Sequence, residues 1–117
     1  MLTFNGNLKV YVALHPCDMR KSFNGLSEIA RQTIKVDPAS GAAFLFTNKR
    51  RNLIKILYWD GTGYWVVAKR LEKGTFSWPK DIEEGRKKLI LKPTALAMLT
   101  DGIDLRDGLK RPWYESS

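Results

Sequence analysis

Eight cations are the residues of this chain best suited to do chemistry. They are Arg20 and Lys21, then Lys49, Arg50 and Arg51, then Lys55, then Lys69 and Arg70. Guanidinium forks and ammonium groups at this density suit phosphate oxygens. The chain has 20 Lys and Arg against 12 Asp and Glu, a net charge of +8. Twelve of those cations lie between Lys49 and Lys92 with only five acids, so this stretch holds most of the excess. Charge concentrated in this way marks a surface for phosphates or anionic lipid, and nucleic acid is the first candidate. A solvated basic face that only aids solubility is the plainer alternative.

Aromatic residues crowd the same stretch: Tyr58, Trp59, Tyr64, Trp65, Phe76 and Trp78. On strands, Tyr58 and Trp59 must face opposite sides, as must Tyr64 and Trp65. About half of them are therefore expected in the core. The outward half could stack on bases, as in sheet-based binders of single strands.

Catalytic chemistry finds little support. His15 is the only histidine and Cys17, two residues on, the only cysteine. Two ligands without a partner cluster predict no metal site. One histidine beside a proline is a poor base. No phosphate-binding loop and no GxGxxG motif is present. A two-metal nuclease would need convergent carboxylates. Asp18, Asp37, Asp60, Asp101 and Asp104 each have a local reading as a helix cap, a turn residue or a helix-end residue. The sequence thus predicts no catalytic residue, no metal and no cofactor. One cysteine allows no internal disulfide. No basic-then-apolar leader and no apolar run of ~20 residues is visible, so a cytoplasmic protein is expected.

The elements that must carry these side chains follow from periodicity. Leu8, Val10, Val12 and Leu14 alternate as a strand, ended by His15-Pro16. Asp18 reads as the N-cap of a helix running to Lys35. Met19, Phe23, Leu26, Ala30 and Ile34 form its apolar stripe. Gly25 inside that stripe suggests close approach of another backbone. Asp37-Pro38-Ala39-Ser40-Gly41 is a turn. Two apolar runs flank Lys49-Arg50-Arg51, and a third follows Asp60-Gly61-Thr62-Gly63, as antiparallel strands would. Leu89-Ile90-Leu91 reads as a short strand. A short helix is expected from Pro93, with Thr94 as N-cap, Leu96 and Leu99 on one face, and Gly102 as terminator. The expected fold is α+β: a single antiparallel sheet of about five strands, one longer helix packed on it and a short C-terminal helix. It forms one domain over residues 1–117, with a poorly ordered tail after about residue 106.

Several runs resemble a known family. Asp18 to Leu26 is similar to its signature DMRKSFDGL, and Asp37 to Gly41 to its DPxSG turn. Phe44 to Arg51 resembles FxFxNRRR, and Ile54 to Gly61 resembles IKLLxWDG. Lys69 to Phe76 matches KRLEKGTF, with Trp78-Pro79 following, and Gly102 to Leu105 is similar to a motif near the family's C-terminus. On these motifs, in order from about Leu8 to Leu105, the chain is identified as a member of the second-reading-frame accessory proteins of the IS66 group of bacterial insertion sequences. These are often labelled TnpB and are unrelated to the RNA-guided nuclease of that label. The chain departs from the pattern at His15-Pro16-Cys17, at Lys49 and Asn52, and at Ala68, where an aromatic is common.

The resemblance implies a role in transposition beside a separate, larger transposase that carries the catalytic carboxylates. The expected function is that of a non-catalytic accessory factor that contacts DNA at the element ends. Arg20, Lys21, Lys49, Arg50, Arg51, Lys55, Lys69 and Arg70 are the phosphate-contacting candidates. The alternative is an adaptor that docks the element's transposase without touching DNA.

Overall fold

The computed structural model describes residues 8–80 and 85–101. Five strands form one sheet: β1 (Val10–Ala13), β2 (Ala43–Thr47), β3 (Leu53–Trp59), β4 (Tyr64–Arg70) and β5 (Lys88–Leu91). Their order across the sheet is β4-β3-β2-β1-β5. The sheet is mixed rather than wholly antiparallel, because β1 pairs with β2 in parallel. The reason is the connection. The chain leaves β1, forms a helix and returns, and a helical crossover brings the next strand back in the same direction. The other three pairings are antiparallel.

Helix α1 (Phe23–Ile29) continues into a π-helical turn (Ala30–Ile34). It starts later than the expected Asp18. The Asp18 carboxylate does not cap it, because that group binds Arg20 instead. Phe23, expected in the core, is the first residue of the helix and is 47% exposed. Leu26, Ala30 and Ile34 keep the predicted stripe and are buried. They pack with Phe44, Phe46 and Leu57 on one face of the sheet. The helix ends where Lys35 turns left-handed, at φ 61°. There the Ile34 carbonyl accepts a hydrogen bond from Lys88 Nζ at 3.0 Å. Lys88 also lies over the Tyr11 ring, 5.5 Å from its centroid, and Tyr11 stacks on Phe44.

The second face is covered as well, by α2 (Pro93–Thr100) and the segment holding Phe76 and Trp78. Val10, Val12, Leu45, Ile54, Ile56, Leu89 and Leu91 meet Leu96 and Leu99 there. Trp78 is buried and its indole N–H donates to the Ala13 carbonyl at 2.9 Å. A sheet covered on both faces explains why every residue of β2 is buried, with no polar alternation. Pro93 is the first residue of α2 and Lys92 the cap, one to two places before the expected Thr94. Proline suits that position because the first helical N–H has no acceptor. Gly102, Asp104, residues 81–84 and the tail after residue 106 lie outside the described residues.

Candidate nucleic-acid interface

Two asparagines hold the β2–β3 turn of the basic surface. Asn48 Oδ1 accepts from the backbone N–H of Asn52 at 3.1 Å and of Leu53 at 3.3 Å. Asn48 Nδ2 donates to Asn52 Oδ1 at 2.7 Å. The Arg51 N–H donates to the Asn48 carbonyl at 3.0 Å. Arg51 is held left-handed, at φ 58°, a conformation that costs a non-glycine residue about 1 kcal/mol or more. The next segment clamps the turn from outside. Leu71 N–H donates to the Asn52 carbonyl at 2.9 Å, and Phe76 N–H to that of Arg51 at 2.7 Å. Lys49 and Arg50 project from this frame, exposed. Neither side chain makes a hydrogen bond or ion pair within the described residues.

The loop before α1 meets the same end of the sheet. Parallel pairing sets the C-terminal end of β1 beside that of β2, and Cys17 N–H donates to the Thr47 carbonyl at 3.0 Å. Asp18 holds Arg20 in a fork. Its Oδ1 accepts from Arg20 Nε at 3.0 Å and its Oδ2 from Nη2 at 2.8 Å. These bonds, with one from the Arg20 backbone N–H, draw the Asp18 pKa down to about 2. Arg20 is therefore ion-paired while still exposed, and Lys21 beside it is exposed as well. Lys55 Nζ donates to the Lys21 carbonyl at 2.9 Å and ties the loop to β3.

Lys69 and Arg70 separate. Arg70 pairs with Leu53 beside the turn and shares the face that carries Lys55. Lys69 points to the other face, where Nζ donates to the Thr100 carbonyl at 2.8 Å and lies 3.9 Å from Asp101. It completes the end of α2. The eight predicted cations thus lie toward one end of the sheet, with Lys69 turned to the α2 face, away from Lys55 and Arg70. Exposed Phe23 follows Arg20-Lys21-Ser22 directly and adds an apolar surface beside the basic loop. The sequence hid it, because its spacing fits the core stripe.

The aromatic residues of the 58–78 stretch do not interleave with these cations as exposed rings. Trp59 and Tyr64 meet edge-on at 4.9 Å beside the Asp60 turn, at the opposite end of β3 from Lys49. Tyr58 packs against the core, and Phe76 and Trp78 are buried. Trp65 is 44% exposed, with its indole N–H donating to Asp60 Oδ2 at 2.8 Å. Asp60 accepts further bonds from Thr62 and Gly63, which hold its carboxyl well below the usual range. Cations gather at the end of the sheet that carries the β2–β3 turn, with no row of aromatic platforms interleaved there.

Among the described residues no group of three or more His, Cys, Asp or Glu could hold a metal ion. Burial pushes the Cys17 thiol pKa up. Among the same residues no helix is long and apolar enough to cross a membrane.

A family profile described as IS66 Orf2-like protein matches residues 8–109. The chain belongs to this family. IS66 Orf2-like proteins are accessory products of insertion sequences, so the protein takes part in insertion-sequence transposition. It is similar to the uncharacterized protein y4hO of Sinorhizobium fredii, with 34% identity over 91% of this chain and 90% of that protein. It is equally similar to y4jC of the same organism, with 34% identity over 90% and 91% of the two chains. No solved structure matches.

Proposed function

We propose that the protein is a non-catalytic accessory factor that grips DNA phosphates with the basic end of its sheet during transposition. The observation that carries this is the clamped β2–β3 turn. It presents Lys49 and Arg50, exposed and without partners among the described residues, on a backbone fixed by Asn48 and Asn52. A rigid turn loses little conformational freedom when it binds. Arg20, Lys21, Lys55 and Arg70 widen the same surface, and Phe23 offers an apolar contact at its rim. No side chain here supports a base-specific role, so contacts to the backbone of the duplex set the affinity.

The test is a salt titration of binding to the element's terminal repeats and to a scrambled duplex. With about four to six phosphates engaged, log affinity falls against log salt with a slope of roughly −4 to −5. The competing reading is an adaptor that docks the transposase with no DNA contact. Co-purification with the transposase without retention on DNA at moderate salt would establish that reading instead.

A further inference from the structure

Strand β4 is an edge of the sheet, paired with β3 and, among the described residues, with nothing else. Its outward groups follow from two hydrogen bonds. Asp60 N–H donates to the Gly63 carbonyl and Leu71 N–H to the Asn52 carbonyl, at the two ends of the β3–β4 ladder. Antiparallel pairs alternate between bonded and unbonded. With the register Ile54–Lys69, Ile56–Val67 and Tyr58–Trp65, the odd residues of β4 bond to β3. Tyr64, Val66, Ala68 and Arg70 therefore aim their N–H and C=O groups away from the sheet. Val67 is 39% exposed and Trp65 44%. A seven-residue edge with free backbone groups and exposed apolar side chains is a template for another strand.

We propose that this edge pairs with the β4 of a second copy, antiparallel about a two-fold axis at Val67, joining two sheets into one. The strand complements itself about that residue. The axis sets Val67 opposite Val67, Val66 opposite Ala68, Trp65 opposite Lys69 and Tyr64 opposite Arg70. It uses the whole strand, whereas an axis at Val66 or Ala68 leaves one end unpaired. It also keeps residues of one face together, as a register shifted by one would not. The charges fit. Along the strand the two copies of Arg70 lie six residues apart, about 20 Å, and the two copies of Lys69 four apart, about 13 Å. Each Lys69-Arg70 pair faces the aromatic pair of the other copy, next to the Asp60 carboxylate that Trp65 holds. Cations over aromatic rings and beside a carboxylate are favourable contacts. The basic turn of each copy stays free, since it lies beyond the end of the shared strands.

Sedimentation equilibrium of the full chain over micromolar to hundreds of micromolar concentration tests the pairing. The expected result is reversible formation of a species of twice the 13.4 kDa chain mass. Val67→Lys sets two ammonium groups opposite each other at the axis and should weaken association roughly tenfold or more. Ala68→Pro removes an N–H that the fold does not use and should do the same with unchanged circular dichroism. In a Cys17→Ser background, Val67→Cys should give an intermolecular disulfide under mild oxidation. Ala68→Cys should not, because its twin lies two places along. A monomer at every concentration overturns the proposal, whether the edge stays open, is taken by residues 102–117 or serves another protein. A dimer indifferent to both Val67→Lys and Ala68→Pro, or equal cross-linking at 67 and 68, overturns it too.

Discussion

Lys21 lies across the first turn of α1 so closely that a Cβ on Gly25 would stand 2.9 Å from both its Cβ and its Cγ. Gly25 is thus required by a side chain, where the sequence suggested a neighbouring backbone. Its absent methyl lets the 18–22 loop fold down, and the Lys21 carbonyl then receives Lys55 Nζ. Helix propensity alone would make Gly25→Ala stabilising by about 1 kcal/mol. The expected result in urea unfolding is no gain or a net loss, because Lys21 must move. DNA affinity should fall along with it. A stabilisation of about 1 kcal/mol would show that Lys21 shifts freely.

Much of this arrangement was legible from residue types, and the gaps have physical causes. Alternation at Leu8, Val10, Val12 and Leu14 located β1, and the runs around Lys49 and Asp60 located β2 to β4. Strand direction was not legible. Alternation is the same in parallel and antiparallel pairs, and only the crossover through α1 makes β1 and β2 parallel. The helix start failed because Asp18 has two local uses, capping or holding Arg20, and the sequence does not rank them. The division of Lys69 from Arg70 was available, since the period of two that parts Tyr58 from Trp59 parts them as well.

Arg51 sits in a left-handed conformation that glycine would adopt without strain. Arg51→Gly should raise stability by about 0.5 to 1 kcal/mol. It should also flatten the salt dependence of DNA binding by about one. Opposite signs in the two readouts would identify a strained residue kept for its side chain. Loss of stability on this substitution would show that the half-buried arginine stem contributes more than the strain costs.

The Asp18–Arg20 fork gives a pH dependence with a defined sign. The Asp18 pKa is lowered to about 2, so its contribution is complete above the ordinary carboxylate value. It is lost as pH falls from about 4 through about 2. Both groups are at the surface, so the effect is small. Asp18→Asn should flatten the fall of stability in that window and leave the profile between pH 5 and 8 unchanged. It should also release Arg20 and strengthen DNA binding modestly at low salt. Weaker binding would mean that the fork positions Arg20 for its contact.

Trp78 anchors the segment that clamps the basic turn. Its indole N–H satisfies the Ala13 carbonyl inside the core. Trp78→Phe removes that bond and leaves a buried acceptor and a small void, so it should destabilise by about 2 to 3 kcal/mol. The turn should loosen with it, read as faster hydrogen exchange at the Phe76 amide, which the Arg51 carbonyl now protects. An unchanged exchange rate there would show that the turn holds itself through Asn48 and Asn52 alone.

Lys69 and the basic turn carry like charge but should separate stability from binding. Lys69 Nζ completes the C-terminal end of α2 through the Thr100 carbonyl, beside Asp101. A cation at that helix end is worth about 0.3 to 1 kcal/mol. Lys69→Ala should lose about that much stability and leave DNA affinity nearly unchanged. Replacing Lys49, Arg50 and Arg51 together with alanine should do the reverse. Lys49 and Arg50 are exposed and contribute little to folding, and alanine at 51 keeps the left-handed strain while losing a half-buried stem, so the unfolding midpoint should fall only slightly. The slope of log affinity against log salt should fall by about 2 to 3 on every duplex alike. Equal loss of binding in the two variants would mean that net charge, not the clamped turn, attracts DNA. A triple variant that binds as the parent does would move the interface away from this end of the sheet.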